Sequence, residues 1–204
     1  MVEIHREDRE DGAGASMYGP LIAGERIRLE PPPAEQAVTF IRWFADRLVT
    51  RYLVVRYPPS LKQEQEWLEE RAANPDCVFW AIARATDGAL VGSLGLDKID
   101  WRHRHADLGY LIGERDQWGK GFATEAVRLA TAYAFTELGL EKVKAGVVAP
   151  NEASRRALER NGYARCALFR SDRYVDGRWH DLWVGEILRD EWAALHPGAL
   201  ELHT

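Results

Sequence analysis

The segment over residues 105–138 constrains the fold of this chain more than any other. It opens with His105–Ile112, where polar and apolar residues alternate as in a half-buried strand, and it closes with an amphipathic helix over Gly121–Leu138 that Gly139 ends. Glycines at positions 119 and 121 let the backbone turn sharply between the two. A strand that leads straight into a long amphipathic helix predicts a mixed domain in which the helix packs on a sheet.

The rest of the chain alternates between strand and helix patterns. Strand-like residues 25–30 stop at three prolines, and helical periodicity follows over 34–48 and again from Ser60, where Gln63 completes a capping box. Further strands are predicted at 77–84, 90–99, 142–148, 164–174 and 179–187, and a further helix from Asn151 to Asn161. The predicted order is β-α-α-β-β-β-α-β-α-β-β, in one domain over 21–192 between tails at 1–20 and 193–204.

Composition and charge disfavour several classes of protein. The 204 residues are 46% hydrophobic and 29% charged, which is typical of a globular domain, and 27 basic against 32 acidic residues give a net charge of −5. This balance disfavours nucleic acid and anionic membranes as partners, and no run approaches the roughly 18 apolar residues of a membrane span. The two cysteines, Cys77 and Cys166, lack metal-binding spacing, so we predict no metal site and a cytoplasmic location.

The turn over residues 116–125 is the first candidate binding site. Gly119 and Gly121 allow backbone N–H groups to converge at a helix N-terminus, which carries partial positive charge and suits a phosphate. The segment matches neither the GxxxxGK[ST] loop of nucleotide triphosphatases nor the GxGxxG dinucleotide fingerprint. By itself the pattern is equally typical of a tight corner between a strand and a helix.

A second candidate element, Asn151-Glu-Ala-Ser154, opens the next helix, where Asn151 alone is simply a good N-cap. Three motifs in this order resemble the GNAT superfamily of CoA-dependent N-acyltransferases: Gly119-Lys-Gly-Phe-Ala-Thr-Glu-Ala126, Asn151-x-x-Ser154 and Asn161-Gly-Tyr163. Three later motifs are similar to its RimJ/RimL branch, which acetylates N-termini of ribosomal proteins: Tyr174-x-Asp-Gly177, Trp179-His-Asp181 and Glu191-Trp192. The resemblance runs from about Gly24 to Trp192.

The resemblance implies an α+β fold with a strongly twisted mixed sheet of six to seven strands and about four flanking helices. It also implies that the strands at 105–112 and 142–148 splay apart, and that the pantetheine arm of acetyl-CoA lies between them. The turn before the long helix would hold the pyrophosphate on backbone amides. The cofactor-binding residues that follow are Leu111, Ile112, Gly113, Trp118, Gly119, Lys120, Gly121, Phe122, Ala123, Asn151 and Ser154.

The catalytic residues that the resemblance implies depart from the family pattern. Many members carry a tyrosine seven residues after the asparagine to protonate the departing thiolate, but this chain has Leu158 there. Ser154, one turn into the same helix, is the expected stabiliser of the thiolate. Asp107 and Glu114 are both candidates for the base that deprotonates the amine, and Asp107 stands where the branch commonly has Glu. Asp116 stands where the family often has Gln or Arg.

The acceptor pocket is expected between the helical segment near the N-terminus and the last hairpin. Its predicted residues are Trp43, Arg51, Tyr52, Arg56, Tyr57, His105, Tyr174 and Trp179. At pH 7, deprotonation of an α-amine with a pKa of about 8 costs roughly 1.4 kcal/mol, against nearly 5 kcal/mol for a lysine with a pKa of about 10.4. An α-amine or another amine of low pKa is therefore the easier acceptor.

These observations predict an N-acyltransferase that moves an acetyl group from acetyl-CoA to a primary amine in a direct ternary complex. The amine belongs to a protein N-terminus or to a small molecule. Transfer of a succinyl or other acyl group and a noncatalytic acyl-CoA sensor stay open as alternatives, whereas the net charge disfavours an RNA-associated protein. Exposed aromatic residues on the last hairpin predict a sheet edge that a second copy covers, and hence a homodimer.

Overall fold

The computed structural model describes residues 18–33, 36–53 and 57–197. Within these ranges the chain forms one eight-stranded mixed sheet in the order β1-β2-β3-β4-β5-β6-β8-β7, together with six helices. The strands are β1 (Ile22–Ala23), β2 (Ile27–Glu30), β3 (Val78–Arg84), β4 (Leu90–Asp100), β5 (His105–Ile112), β6 (Lys142–Val148), β7 (Ala164–Val175) and β8 (Arg178–Leu188). The helices are α1 (Gln36–Phe44), α2 (Arg47–Thr50), α3 (Leu61–Ala73), α4 (Phe122–Thr136), α5 (Glu152–Glu159) and α6 (Arg189–Leu195).

The sheet and the helices exceed the predicted numbers for local reasons. Strand β1 has two residues, too few to carry an alternating pattern. The helix predicted over 34–48 divides into α1 and α2 because the Asp46 side chain accepts a hydrogen bond from the Leu48 amide at 2.8 Å and so starts a new helix. Helix α6 adds a final short segment. The capping box at Ser60 and Gln63 forms as predicted.

Two hydrophobic cores lie on opposite faces of the sheet. The larger one joins α4 to the sheet and includes Ala106 and Leu108 of β5, both buried. The smaller one joins α1 and α3 to the other face, and Leu111 of β5 packs against it. Ala106 and Leu108 thus face one core and Leu111 the other. The strand alternates as its sequence predicts, but the sequence predicted burial on one face only.

Strands β5 and β6 are the parallel pair in this sheet, and they separate along their length. Their pairing covers His105 with Lys142, Ala106 with Val143 and Asp107 with Lys144. In the described part of the chain it ends there, although β5 continues to Ile112 and β6 to Val148. Strand β4 pairs with β5 on its other side, and β8 pairs with β6. A gap therefore opens in the middle of the sheet, and the predicted separation of these strands is confirmed.

The packed part of the chain extends beyond the domain limits expected from the sequence. Tyr18 forms an isolated bridge with Phe79, and the Trp80 indole donates to the carbonyl of Pro20 at 3.0 Å. At the other end, α6 continues to Leu195. The first 17 and the last seven residues of the two predicted tails lie outside the described residues. None of the helices in the described ranges is both long and apolar enough to cross a bilayer.

Candidate active site

The edge of β5 that borders the gap exposes the backbone groups of every second residue. The Gly113 amide donates to the carbonyl of Val91 in β4 at 2.9 Å. Because hydrogen-bonding direction alternates along an antiparallel strand, Leu111 also faces β4, whereas Tyr110 and Ile112 face the gap. Of the three main-chain positions predicted to contact pantetheine, Ile112 alone has this orientation. The assignments of Leu111 and Gly113 are corrected for this reason.

Gly113 has a packing role. A Cβ atom at this position would lie 2.0 Å from Cδ2 of Trp43, so the indole ring requires glycine there. Trp43 is 2% exposed in the smaller core, and its Nε1 donates to Glu114 Oε1 at 2.8 Å. Arg42 of α1 forms an ion pair with the same carboxylate. The structure thus places Trp43 in a core instead of the expected open pocket, and it ties Glu114 to α1.

The turn between β5 and α4 uses its glycines for left-handed backbone. Gly119 has a φ of +75° and Gly121 a φ of +84°, and Gly121 is the N-cap of α4. Phe122 and Ala123 form the first turn of the helix, where amides have no partner within the helix itself. Trp118 is 44% exposed, and its Nε1 donates to the carbonyl of Ile112 at 2.8 Å. The turn therefore presents backbone donors beside the wide end of the gap.

Side chains hold this turn in place from both sides. Lys120 Nζ donates to Oε1 of the buried Gln117 at 3.1 Å, and Gln117 Nε2 donates to Asp116 Oδ2 at 2.6 Å. Arg26, immediately before β2, reaches across and donates to the carbonyl of Lys120 at 3.0 Å. The acid at position 116 is thus bound to a neighbouring side chain. Arg26 brings a cation to the turn that the sequence motifs did not reveal.

Glu125 fixes the approach of Arg26. Its side chain is buried, and Oε1 accepts hydrogen bonds from the amides of Glu25 at 2.5 Å and Arg26 at 3.1 Å. A Cβ atom on Gly24 would lie 2.3 Å from the same oxygen, so this contact needs glycine. A carboxylate in the first turn of a helix also suits the helix dipole. No local pattern in the sequence predicts this role of Glu125, because its partner Glu25 is 100 residues away.

Tyr110 and Ser154 meet across the gap. Asn151 caps α5 by accepting a hydrogen bond from the Ser154 amide at 3.3 Å. The Tyr110 hydroxyl lies 2.7 Å from Ser154 Oγ and 3.0 Å from the Ser154 carbonyl oxygen, so its one proton can reach either acceptor. Burial raises the pKa of Tyr110 to about 12. The alternation in β5 puts Tyr110 on the apolar face of the strand, and no local pattern predicts that its hydroxyl reaches α5.

Leu158, at the position where the resemblance led us to look for a tyrosine, is fully buried in the larger core. The first turn of α5, and not its second, therefore brings a hydroxyl to the gap.

Asp107 lies where β5 and β6 stop pairing. Its carboxylate is 3.3 Å from Lys144 Nζ and 3.6 Å from Lys98 Nζ. Together with Leu108 and Gly109, it lines a cleft of about 970 Å³ on the α3 side of the sheet. The lining includes four carboxylates, those of Asp76, Asp97, Asp100 and Asp107, and two cationic side chains, Arg71 and Lys98. The cleft is thus acidic and adjoins the narrow end of the gap.

Within the described ranges, the predicted acceptor residues do not form one pocket, and several of them lie near the β7–β8 hairpin. Arg51 Nε lies 2.7 Å from Asp176 Oδ2, which joins the end of α2 to the β7–β8 turn, and the Arg51 guanidinium lies over the Tyr52 ring at 5.2 Å. On the same hairpin, the Tyr174 and Trp179 rings are 5.3 Å apart and both are exposed. Tyr57 is also exposed, and Arg56 lies outside the described residues.

His105 belongs to a different cluster. Its ring stacks with that of His103 at 6.4 Å, and its Nε2 is 4.0 Å from Asp100 Oδ2. Asp100 accepts hydrogen bonds from the ring and the amide of His103, which lower the pKa of its carboxyl to about 2. Across the described ranges, no group of three or more His, Cys, Asp or Glu side chains is placed to hold a metal ion.

Comparisons with known proteins agree with this architecture. Residues 26–164, more than half of the chain, match the family model described as "Acetyltransferase (GNAT) domain". The chain is 30% identical over 176 residues to "Uncharacterized N-acetyltransferase p20" of Bacillus licheniformis, an alignment that covers 83% of this chain and 96% of that protein. It is 32% identical over 166 residues to "Putative ribosomal N-acetyltransferase YdaF" of Bacillus subtilis, covering 80% and 90% of the two chains.

A solved structure shows the same fold. The spermidine N-acetyltransferase from Vibrio cholerae, in complex with CoA and spermine, superposes with a TM-score of 0.76 at 21% identity, covering 82% of this chain and 98% of that one. At this identity the likeness shows the fold alone, and it confirms the predicted GNAT architecture. GNAT acetyltransferases use acetyl-CoA as the acetyl donor. The splayed strands, the capped turn and the family match together make this chain a member of the GNAT family of N-acetyltransferases.

Proposed function

We propose that this enzyme binds acetyl-CoA in the gap between β5 and β6 and transfers the acetyl group to a primary amine in a direct ternary complex. The observation that supports this proposal most directly is that the gap between β5 and β6 leads into the glycine turn before α4. The gap starts at Asp107 and widens along β5, and β5 leads at its wide end into the Gly119–Gly121 turn. One extended ligand with a pyrophosphate at the turn and a thin arm along the strand edge fits both.

The proposed donor site uses backbone groups more than side chains. The pyrophosphate takes hydrogen bonds from amides of the turn and of the first turn of α4, because these groups are unpaired within the helix and carry partial positive charge. The edge at Tyr110 and Ile112, which pairs with no strand of the described chain, binds the amides of pantetheine as a neighbouring strand would. The Ile112 carbonyl has a second lone pair beside the one that accepts from the Trp118 indole. The residues proposed to hold the donor are Ile112, Trp118, Gly119, Lys120, Gly121, Phe122, Ala123, Asn151 and Ser154.

The donor supplies a thioester whose thiol is a good leaving group. The chain supplies the environment around it: Ser154, at the N-terminus of α5, stabilises the negative charge on the departing sulfur. Asp107 takes the proton from the attacking amine, directly or through one water molecule, because its carboxylate stands where the gap meets the acidic cleft. Glu114 is the alternative base, but Arg42 and Trp43 already bind its carboxylate.

The acidic cleft supports a cationic acceptor. Four carboxylates against two cations leave its lining negative, which attracts an ammonium group and raises its local concentration. The resemblance to the RimJ/RimL branch and the name of the Bacillus subtilis relative support a ribosomal N-terminal α-amine. We place this activity in the cytoplasm, where acetyl-CoA and ribosomes occur together. Both cysteines are free, which suits a reducing compartment.

A thiol-release assay tests the proposal. Purified enzyme is mixed with acetyl-CoA or succinyl-CoA and with a panel of ribosomal N-terminal peptides, polyamines, free amino acids and aminoglycosides. We expect one amine class to increase thiol release from acetyl-CoA, with a matching mass increase on the amine. If calorimetry shows CoA binding while no amine in the panel increases release, acetyl transfer is rejected in favour of a noncatalytic sensor.

A further inference from the structure

Tyr110 and Ser154 form a hydroxyl pair that connects β5 to α5 across the gap. Tyr110 Oη lies 2.7 Å from Ser154 Oγ, and the Tyr110 ring packs against the larger core while its hydroxyl end reaches α5. The two residues are 44 positions apart, and Tyr110 lies in the part of β5 that no longer pairs with β6. The pair stands beside the path that the proposed function gives to the pantetheine arm.

We propose that Tyr110 is a positioning residue that donates to Ser154 Oγ and thereby turns the Ser154 proton towards the sulfur of CoA. The inference rests on the proposed function, since it assigns a role in the same donor site. The group that Ser154 would contact is the thiol or thiolate sulfur at the end of the pantetheine arm of CoA. No proton leaves Tyr110 in this arrangement, because the tyrosine acts only through the serine.

The hydrogen-bonding capacity of the two hydroxyls decides where the Ser154 proton points. Tyr110 has one O–H, and both Ser154 Oγ at 2.7 Å and the Ser154 carbonyl at 3.0 Å lie within its reach. Donation to the carbonyl would leave the serine proton directed at Tyr110 Oη. Donation to Oγ, which is the nearer acceptor, leaves the one proton of the serine free for a third partner, and this is the arrangement that we propose for the complex with CoA. Burial raises the pKa of Tyr110 to about 12, so the tyrosine stays protonated and acts as a donor at neutral pH.

The second turn of α5 offers no such donor. Leu158 is fully buried in the larger core, whereas Ser154 is partly exposed in the first turn, where the helix dipole favours negative charge. A serine hydroxyl rotates freely unless a partner holds it, and an unheld donor contributes less in the transition state. Tyr110 supplies that partner.

A double-mutant cycle tests the coupling. Tyr110→Phe keeps the ring and removes only the hydroxyl. We expect it to lower kcat about 10-fold while KM for acetyl-CoA changes less than about 2-fold, and Ser154→Ala to lower kcat by about 10- to 1,000-fold. Since Tyr110 acts through Ser154, the double variant should be no slower than Ser154→Ala. Independent, multiplying losses would overturn the proposal.

Tyr163→Phe is the matched control. Its hydroxyl lies 2.8 Å from Thr131 Oγ1, so this variant also removes one buried contact between a tyrosine and a hydroxyl. We expect both phenylalanine variants to lower the melting temperature by similar amounts, but only Tyr110→Phe to lower kcat. If Tyr110→Phe and Tyr163→Phe have equal kcat values, Tyr110 contributes only to packing and the proposal is wrong.

A binding experiment separates this inference from the proposed function. The affinities of CoA and of desulfo-CoA, which lacks the thiol, are compared by calorimetry from about pH 6 to about pH 9, across the ordinary range of a thiol pKa. We expect the preference for CoA to rise with pH as the thiolate forms, and Tyr110→Phe to reduce it about 10-fold near pH 9. An unchanged preference in Tyr110→Phe overturns the inference. If wild type shows the preference but no acetyl transfer, only the proposed function fails.

Discussion

The two candidate bases, Asp107 and Glu114, differ in the partners that their carboxylates contact. Asp107 lies between two lysine ammonium groups, at 3.3 and 3.6 Å, and borders an open cleft. Glu114 accepts from the Trp43 indole at 2.8 Å and pairs with Arg42, so its contacts join α1 to the loop after β5. Both carboxylates have cationic partners, and we propose Asp107 as the proton acceptor because it borders the cleft, with a structural role for Glu114.

Asp107→Asn should change the pH dependence of the rate. Without the base, only amine molecules that have already lost a proton react, so we expect a loss of about 100-fold near pH 6 that shrinks to less than about 10-fold near pH 9. The measurement is kcat/KM against pH with one fixed amine. Glu114→Gln should keep the shape of the wild-type profile and lower the melting temperature. The opposite pattern would transfer the base role to Glu114.

Glu64 gives the folded protein a pH-dependent stability. Its side chain is 4% exposed, and Oε1 has no hydrogen-bond partner within the described part of the chain. Burial raises the pKa of this carboxyl from 4.5 to about 7. The folded state thus holds this proton more tightly than the unfolded chain does, so the contribution to stability is complete below about pH 4.5 and is lost as pH rises through about 7.

Glu64→Gln should remove this dependence, because glutamine stays neutral. We expect its free energy of unfolding to match that of wild type near pH 4.5 and to exceed it by up to about 3 kcal/mol at pH 8. Urea denaturation at several pH values measures the difference. Glu70→Gln changes an exposed residue of the same helix and should leave the pH dependence of the free energy of unfolding as it is in wild type. Parallel curves for wild type and Glu64→Gln would contradict the buried charge.

Among the elements, the junction of β5 with α4 depends most on one backbone conformation. Gly121 is the N-cap of α4 with a φ of +84°, and a Cβ atom on it would lie 2.9 Å from Arg26 Nη1. A side chain there strains the left-handed backbone and displaces the arginine, in addition to entering the space proposed for the pyrophosphate. The contact with Arg26 is thus a second reason why position 121 requires glycine, and the sequence motif alone did not indicate it.

Gly121→Val should therefore abolish CoA binding in calorimetry while the protein stays folded by circular dichroism. Gly88→Val is a close control: Gly88 has a φ of +72°, and a Cβ atom there would lie 2.8 Å from an arginine nitrogen, that of Arg28, but it sits in the β3–β4 turn. Backbone strain alone should lower the stability of both variants similarly. Unchanged CoA affinity in Gly121→Val would refute the backbone-centred donor site.

For the molecule as a whole, the open edge of the sheet is the feature that points to assembly. Strand β7 is the last strand in the order, so its outer side has no neighbouring strand in the described chain. Large apolar side chains are exposed on this hairpin, among them Phe169 at 52% and Trp179 at 63%. A long edge with such residues is a surface that natural proteins usually cover.

We expect a homodimer in light scattering at micromolar concentration, formed through the β7–β8 hairpin. Phe169→Asp should shift the mass towards the monomer, because a buried, unpaired carboxylate is costly in an apolar interface. Val38→Asp is the control: it alters an exposed apolar residue on α1, away from the hairpin, and should leave the mass unchanged. A monomeric mass for wild type would contradict the prediction.

The order of helices and strands, the glycine turn and the caps at Ser60 and Asn151 all follow from the sequence, because they depend on side-chain periodicity and on contacts a few residues apart. The division of the first helix at Asp46 has an equally local cause and was overlooked. The resemblance to the GNAT family rested on three short motifs that follow one another in the same order as in that family. The expectation of splayed strands followed from this resemblance.

Only the tertiary structure decided which of these groups meet. It put Trp43 in a core beneath Gly113, brought Arg26 to the α4 turn, and set Tyr110 against Ser154. These contacts join residues 44 to 94 positions apart, and no local pattern encodes such pairs. The two cores fix the faces of β5, and β5 and β6 no longer pair beyond Asp107, so packing across the sheet and not local sequence decides which side chains lie at the gap.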